Sequence, residues 1–404
     1  MTDEIRLMGE SCNLACTYCY QEGVREAGNV NVKYDLDKVM QELEKSGREF
    51  SMFGGEALLV PKKDLEFLFD YGFKKFGRNG IQTNGTLIDD GHIEMFKKYN
   101  VGVGISIDGP ADLNNLRKVR GKGNTDEKTL KATEATMENI FKLRQNGIGV
   151  SVIITLHRLN GNPEALPRIL KFMRWLGDIG IMNGNLHALE VDKTMPDQSI
   201  HVLSQKENAE AFLTIAKFLI ENPDLRWSPF EDMKNILDAK EEGSNCTWHF
   251  CDPMNTQAVY GIEGDGAISN CGRTNKEGVG WYKTEGNMYG RYIALYNTPD
   301  EQGGCKGCRF WMACGGSCPG ESMDNDFRNK TIHCHTQYTM LSFYESELNK
   351  QGKVAITLSP IRELIERVMI NDMTYGERPS IPRALRILNS KTNKVTMLEA
   401  REEE

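Results

Sequence analysis

The run Cys12-Asn13-Leu14-Ala15-Cys16-Thr17-Tyr18-Cys19-Tyr20 sets three thiols close together, separated by three residues and then by two. Thiolates are the usual ligands of iron-sulfur clusters, and a 4Fe-4S cube takes four of them. This loop supplies three, so one iron is left to an outside ligand, the condition that separates a catalytic metal site from a closed structural one. A zinc ion would need a fourth protein ligand nearby, and none is present. Ordinary buried thiols are the remaining alternative.

Working outward, Glu4 to Gly9 reads as a short strand running straight into this loop. Asp35 to Lys45 carries Leu36, Val39, Met40 and Leu43 at helical spacing. Phe50 to Phe53 reads as a strand ending in Gly54-Gly55-Glu56, with a helix from Lys62 to Lys75 after it. The alternation continues with strands at Gly80 to Thr83, Val101 to Ile107 and Gly149 to Thr155, each followed by a helix: Gly91 to Tyr99, Lys128 to Gln145, Pro163 to Trp175. A sixth strand is expected around Leu186 to Val191. Strands alternating with helices of this length imply parallel pairing through right-handed crossovers. Six units predict an α/β fold, a partial (β/α)6 TIM-like barrel that stays open.

On such a barrel chemistry sits at the carboxyl ends of the strands. The second strand ends in Gly54-Gly55-Glu56, where two glycines permit close backbone approach and a carboxylate can receive an ammonium group. The third ends in Gln82-Thr83-Asn84-Gly85-Thr86-Leu87, the fourth in Ser106-Ile107-Asp108-Gly109-Pro110, followed by Leu116-Arg117-Lys118. Each alone is commoner in an ordinary turn than in an active site. In succession, at the same end of consecutive strands, they point to one.

With these elements in place, the cysteine spacing and the ordered motifs resemble the radical S-adenosylmethionine (radical SAM) enzymes. The resemblance implies that the methionine part of SAM chelates the open iron, and that an electron from the cluster releases a 5′-deoxyadenosyl radical. It places Tyr18 beside the adenine, Gly55 and Glu56 at the methionine amino group, Ser106 near the ribose or carboxylate, and Arg117 at the carboxylate. Arg120 competes for the last role, because the histidine-aspartate pair usual before the arginine is missing. Ala57 stands where many relatives have proline, which should affect loop rigidity only.

The chain has 404 residues, 39% of them hydrophobic, and a formal net charge of −8. That is enough for a core and a second unit, and argues against a nucleic-acid partner. No signal-peptide succession opens the sequence and no apolar run approaches bilayer length, so a cytoplasmic protein without a membrane partner is expected. Eleven cysteines, an odd number, point to metal rather than to a disulfide framework in a reducing compartment. Eight lie in the second half: Cys246, Cys251, Cys271, Cys305, Cys308, Cys314, Cys318 and Cys334. Three plus eight makes one open cluster and two fully ligated ones.

Between the halves, Asp192 to Ser204 reads as a linker, Lys206 to Ile220 as a helix with Ala211, Phe212, Ile215, Phe218 and Leu219 on a core-facing side, and Glu231 to Ala239 as a second, short helix. The later cysteines, with Gly266 between Cys251 and Cys271, resemble the SPASM domain, a small Cys-rich module binding two auxiliary iron-sulfur clusters in many peptide-modifying radical SAM enzymes. The resemblance assigns Cys246, Cys251, Cys271 and Cys318 to the first auxiliary cluster and Cys305, Cys308, Cys314 and Cys334 to the second. A pair of zinc knuckles is the alternative. The expected division is 1–192 barrel, 193–245 helical bridge, 246–345 SPASM domain and 346–404 C-terminal extension, with a helix at Pro360 to Ile370 and a basic stretch, Arg383 to Lys394, that reads as solvated surface.

Relatives with this plan act on polypeptides. One class matures sulfatases by oxidising a cysteine or serine to formylglycine, with an aspartate base directly after the cysteine that corresponds to Cys271. Here that residue is Gly272, which cannot take a proton. The favoured expectation is a maturase of a ribosomally made precursor peptide that closes a thioether or carbon-carbon cross-link. Three 4Fe-4S clusters, SAM and an electron donor such as flavodoxin or ferredoxin are implied. Only eleven residues precede Cys12, so no leader-gripping wing is expected before the first strand, and a separate leader-recognition protein could serve instead. A non-catalytic iron-sulfur electron-transfer protein is the alternative of another class.

Overall fold

The computed structural model describes residues 2–26, 33–123, 125–189, 200–241, 245–252, 259–274 and 288–390. The chain divides into two compact units, Met1–Pro229 with Val259–Lys283, and Phe230–Ala258 with Thr284–Glu404.

The first unit is built on strands β1 (Asp3–Arg6), β2 (Phe50–Met52), β3 (Asn79–Thr83), β4 (Val101–Ser106), β5 (Val150–Leu156), β6 (Asn183–Ala188), β7 (Arg226–Ser228), β8 (Tyr260–Glu263) and β9 (Ile268–Ser269). From β1 to β7 each strand pairs in parallel with the next, and a helix lies in each connection. β1 pairs on its other side with β8, in parallel, and β9 closes that edge antiparallel to β8. The first and last parallel strands never meet, so the sheet is open, as six repeating units imply. Three strands are added to the six expected from sequence: β7, β8 and β9 are two to four residues long, too short to show a period. The sixth strand begins at Asn183, three residues before Leu186, because Asn183 and Asn185 alternate with buried positions and mask its apolar pattern. Most of the expected linker, 192–199, lies outside the described residues.

The two faces of the sheet differ in chemistry. Phe50, Met52, Ile81, Val103, Ile105, Val152, Ile154 and Leu186 are buried. A Cβ on Gly72, in the helix Lys62–Phe76, would strike Phe50 and Asn79, which marks this as the helix-covered face. Each such side chain contributes roughly 1.5–3 kcal/mol on burial. The alternate positions, apart from Ile153, are small or polar: Ser51, Gly80, Gln82, Gly102, Gly104, Ser106, Ser151, Thr155, Asn185 and His187. Register aligns Gln82 with Gly104 and Ser151, Ser106 with Ile153, Asn185 and Ser228, and Thr155 with His187.

The second unit is mainly helical: Phe230–Leu237, Gly290–Asn297, Trp311–Cys314, Cys334–Lys350 and Arg362–Thr374. Its core gathers Phe250, Tyr292, Leu295, Trp311 and Met312 with Ile365, Met369 and Met373. The helix expected near Pro360 is therefore part of this core. In the basic stretch, Arg383 pairs with Asp372 at 2.9 Å; residues 391–394 lie outside the described set. Among the described residues no helix is long and apolar enough to cross a membrane.

Candidate active site

The cysteine loop leaves β1 and is held as one side of a clasp whose other side is Leu116–Arg120. Ala15 N donates to Lys118 O at 2.7 Å, Thr17 N to Leu116 O at 2.9 Å and Arg120 N to Asn13 O at 3.2 Å, with an antiparallel bridge between Leu14 and Val119. Cys19 N bonds Cys16 O at 3.0 Å, and Arg25 Nη2 reaches Cys19 Sγ at 3.4 Å. Burial pushes the Cys16 thiol up to about 12, against the opposing pull of Arg117 and with Cys19 and Cys12 adding to it. Burial likewise raises Cys12, with Cys19 among the contributors. The three thiols thus lie within electrostatic reach of one another. Among the described residues, however, no three Cys, His, Asp or Glu side chains converge as a single bound ion requires. Three half-buried thiols within reach of one another, yet not converging on a single ion, fit a multi-iron cluster better than zinc.

The two glycines after β2 serve a purpose that sequence alone does not reveal. A Cβ on Gly55 would sit 2.3 Å from the carbonyl oxygens of both Glu10 and Ser11, and one on Gly54, at φ +127°, 2.7 Å from Gly9 O. Gly55 N and Glu56 N donate to Gly9 O and Ser11 O at 3.1 and 2.8 Å. The close approach is therefore to the chain's own backbone where it enters the cysteine loop. The Glu56 carboxylate, expected to face an ammonium group, is buried and held by three donors. It accepts from Leu58 N at 2.9 Å, Thr83 Oγ1 at 2.6 Å and Asn84 N at 2.7 Å. Burial raises its pKa despite these donors.

Tyr18 is buried, with its hydroxyl donating to Asp108 Oδ2 and accepting from Arg117 Nη1 at 3.0 Å. His157 Nε2 faces the same Asp108 oxygen at 3.4 Å. Burial alone would raise the Asp108 carboxyl, but His157, Arg117 and Tyr18 outweigh it and hold it below its usual value. Arg117 therefore points inward, whereas Arg120 is exposed and reaches Glu22 at 3.4 Å. Ser106 Oγ accepts from Gln82 Nε2 at 2.8 Å, and Gly104 leaves the room that Gln82 fills. Gln82 belongs to the motif that ends the third strand, whereas His157 falls in no sequence motif; its usable signal is its place just after β5, at the carboxyl end.

The segment after β9 also reaches this end of the sheet. Arg6 Nη1 donates to Asn270 O at 2.8 Å, and a Cβ on Gly272 would meet Tyr20 at 3.0 Å. Arg273 Nη2 lies 3.4 Å from His187 Nδ1 on β6.

In the second unit the structure brings together Cys305, Cys308, Cys314 and Cys334. Burial, then Cys308 and Cys334, raise Cys305 to about 12, and burial with Cys305, Cys334 and Cys308 holds Cys314 well above its ordinary value. The other four-cysteine set is divided between the units, Cys271 in the first and Cys246, Cys251 and Cys318 in the second.

Residues 7–173 match the Radical SAM superfamily. A serine-type anaerobic sulfatase-maturating enzyme of Bacteroides thetaiotaomicron is 30% identical over 169 residues, 39% of this chain and 39% of that protein. The chain spans about two fifths of the length of the curated relatives matched at this level. Among solved structures, native anSMEcpe with bound AdoMet aligns with a TM-score of 0.62 at 17% identity, over 87% of this chain and 98% of that one. Streptococcus suis SuiB bound to precursor peptide SuiA aligns at 0.53 and 14%, over 82% and 75%. At such identities the likeness is one of fold.

Proposed function

We propose, on the premise that residues 7–173 are a radical SAM superfamily domain, that this chain is a peptide maturase. It takes hydrogen from a residue of a ribosomally made precursor peptide and closes a thioether or carbon-carbon cross-link. The observation that carries the reading is the cysteine loop, clasped at the carboxyl end of an open parallel sheet with Arg117 turned inward beside Cys16. Cys12, Cys16 and Cys19 would hold one cluster. Bound together, a reduced 4Fe-4S cluster and SAM supply one-electron cleavage of the sulfonium and, with it, abstraction of a carbon-bound hydrogen.

The protein's part is binding, orientation and exclusion of water. Arg117 meets the cofactor's carboxylate, and Ser106, held by Gln82, a cofactor hydroxyl or carboxylate. Tyr18 borders the adenine side, and Gly55 shapes the loop wall. Glu56 keeps one acceptor position, on Oε2, for the ammonium group. The polar face of β3 to β6 holds an extended peptide through neutral hydrogen-bonding groups, with Arg273 and His187 at its rim. Cys305, Cys308, Cys314 and Cys334 would hold one auxiliary cluster, and Cys246, Cys251, Cys271 and Cys318 the other. Clusters held there would supply a one-electron acceptor for the substrate's coupling step, and a flavodoxin- or ferredoxin-type protein would donate the electron that SAM cleavage consumes. A separate leader-recognition protein belongs to the same proposal.

A second reading, sulfatase maturation, is favoured by the names of the relatives. Gly272, with no side chain to act as base, counts against it. Anaerobically reconstituted protein given dithionite, SAM and the short peptide encoded beside it should form 5′-deoxyadenosine and a peptide lighter by two hydrogens. No 5′-deoxyadenosine would sink both readings. An aldehyde formed in a sulfatase peptide, with the neighbouring peptide untouched, would select the second.

A further inference from the structure

Asp108 and His157 take no part in the roles above, yet both are wholly buried at the strand ends beside the cysteine loop. Asp108 is fixed from several directions: Oδ1 accepts from Thr155 N at 3.0 Å, its own N–H donates to Asn114 Oδ1 at 2.9 Å, and its carbonyl accepts from Asn160 Nδ2 at 3.0 Å. His157 is fixed as firmly, its N–H donating to Asn160 Oδ1 at 2.7 Å. Leu159 N donates to His157 Nδ1 at 3.2 Å, so in the neutral ring the proton sits on Nε2, the atom facing Asp108.

The remaining oxygen of this carboxylate takes the Tyr18 hydroxyl, whose lone pair then receives Arg117. A buried carboxylate needs a counter-charge, and here the counter-charge stands one residue away, with the phenol between them. Among the described residues Arg117 forms no ion pair with a carboxylate, although it is half-buried. A guanidinium presents five donors in a planar fork suited to two carboxylate oxygens, and the Tyr18 bond uses one of them.

We infer that Asp108 and His157 are positioning residues. Through the Tyr18 hydroxyl they aim the Arg117 fork, beside Cys16, at the carboxylate of the sulfonium cofactor. The inference rests on the proposed reading of the site as one that binds SAM. It assigns Tyr18 a second role, as the hinge pin between the cysteine loop and the ends of β4 and β5.

The test compares SAM with decarboxylated SAM, which lacks the one group Arg117 is said to meet, on reconstituted wild-type protein and on Tyr18→Phe, Asp108→Asn and His157→Gln. Tyr18→Phe and Asp108→Asn should weaken SAM binding about tenfold, the size of one charge-assisted hydrogen bond, with iron content and affinity for decarboxylated SAM unchanged. His157→Gln should follow in the same direction with a smaller loss. Equal losses for both ligands, lost iron, or wild-type SAM affinity in Tyr18→Phe would each overturn the inference. Should Asp108→Asn fail to fold, Tyr18→Phe, which removes a single oxygen, decides alone. Wild-type protein that binds neither ligand would instead bring down the SAM reading itself.

Discussion

Gly55 lies so close to Glu10 that a Cβ at residue 55 would stand 2.3 Å from the Glu10 carbonyl oxygen, and as close to that of Ser11. Backbone cannot move aside as the end of a flexible side chain can, so even one methyl must displace the chain that leads into Cys12. Gly55→Ala should cost roughly 2–3 kcal/mol by urea unfolding and lower the iron retained by the loop. Gly149→Ala, with nothing within 4 Å of its Cβ position, should be near neutral. Equal effects would remove the packing account of the Gly-Gly pair.

The loop thiols and the thiols of the second unit should separate in a reconstitution experiment. Replacing Cys12, Cys16 and Cys19 together with Ala should abolish 5′-deoxyadenosine formation and remove about a third of the iron, as the proposed set of three four-iron clusters implies. Turnover surviving the triple change would end the cluster assignment.

Arg273, 3.4 Å from His187 at the rim of the polar face, should matter to the peptide and not to the cofactor. Arg273→Glu is expected to lower kcat/KM for peptide at least about tenfold, while SAM cleavage without peptide continues. Arg273→Lys should recover part of the loss. A parallel loss of peptide-free cleavage would move Arg273 from substrate to cofactor.

Asp89 caps the helix Asp90–Lys98, accepting from His92 N at 3.0 Å, and pairs with Lys62 at 2.6 Å. Lys62, then the His92 N–H, hold the carboxyl of this exposed residue down to about 2 against slight desolvation. A pKa lower in the folded than in the unfolded chain gives stability that is present above about pH 4 and lost as pH falls toward 2. Asp89→Ala should therefore cost about 1 kcal/mol near neutrality, with the gap to wild type narrowing as unfolding is measured at about pH 3. A gap independent of pH would mean that the cap, without its charge, makes the whole contribution.

Much of the first unit was legible because its signals are local. Leu36, Val39 and Leu43 repeat at helical spacing and are followed by Gly47 in the left-handed region; in Val101 to Ser106 the β-branched Val101, Val103 and Ile105 alternate with small residues before Asp108-Gly109. β8 and β9 carry no such period; β8 takes its place beside β1 through parallel pairing with residues more than 250 positions away, Asp3 with Tyr260 and Ile5 with Ile262, and β9 then pairs antiparallel with β8. The choice between Arg117 and Arg120 was likewise open in the sequence. Three residues apart on the same clasp, they diverge because one finds Tyr18 inside and the other Glu22 outside.

By itself the sequence determined the alternation of strands and helices and the three-thiol loop. It also determined the succession of motifs at strand ends, since each is written in residues adjacent along the chain. Only the tertiary structure decided what those motifs touch. Gly55 serves the backbone of Glu10 and Ser11, the Glu56 carboxylate turns toward Asn84, and Asp108 reaches Arg117 through Tyr18. Such contacts join side chains brought near by folding, and no spacing along the chain encodes them.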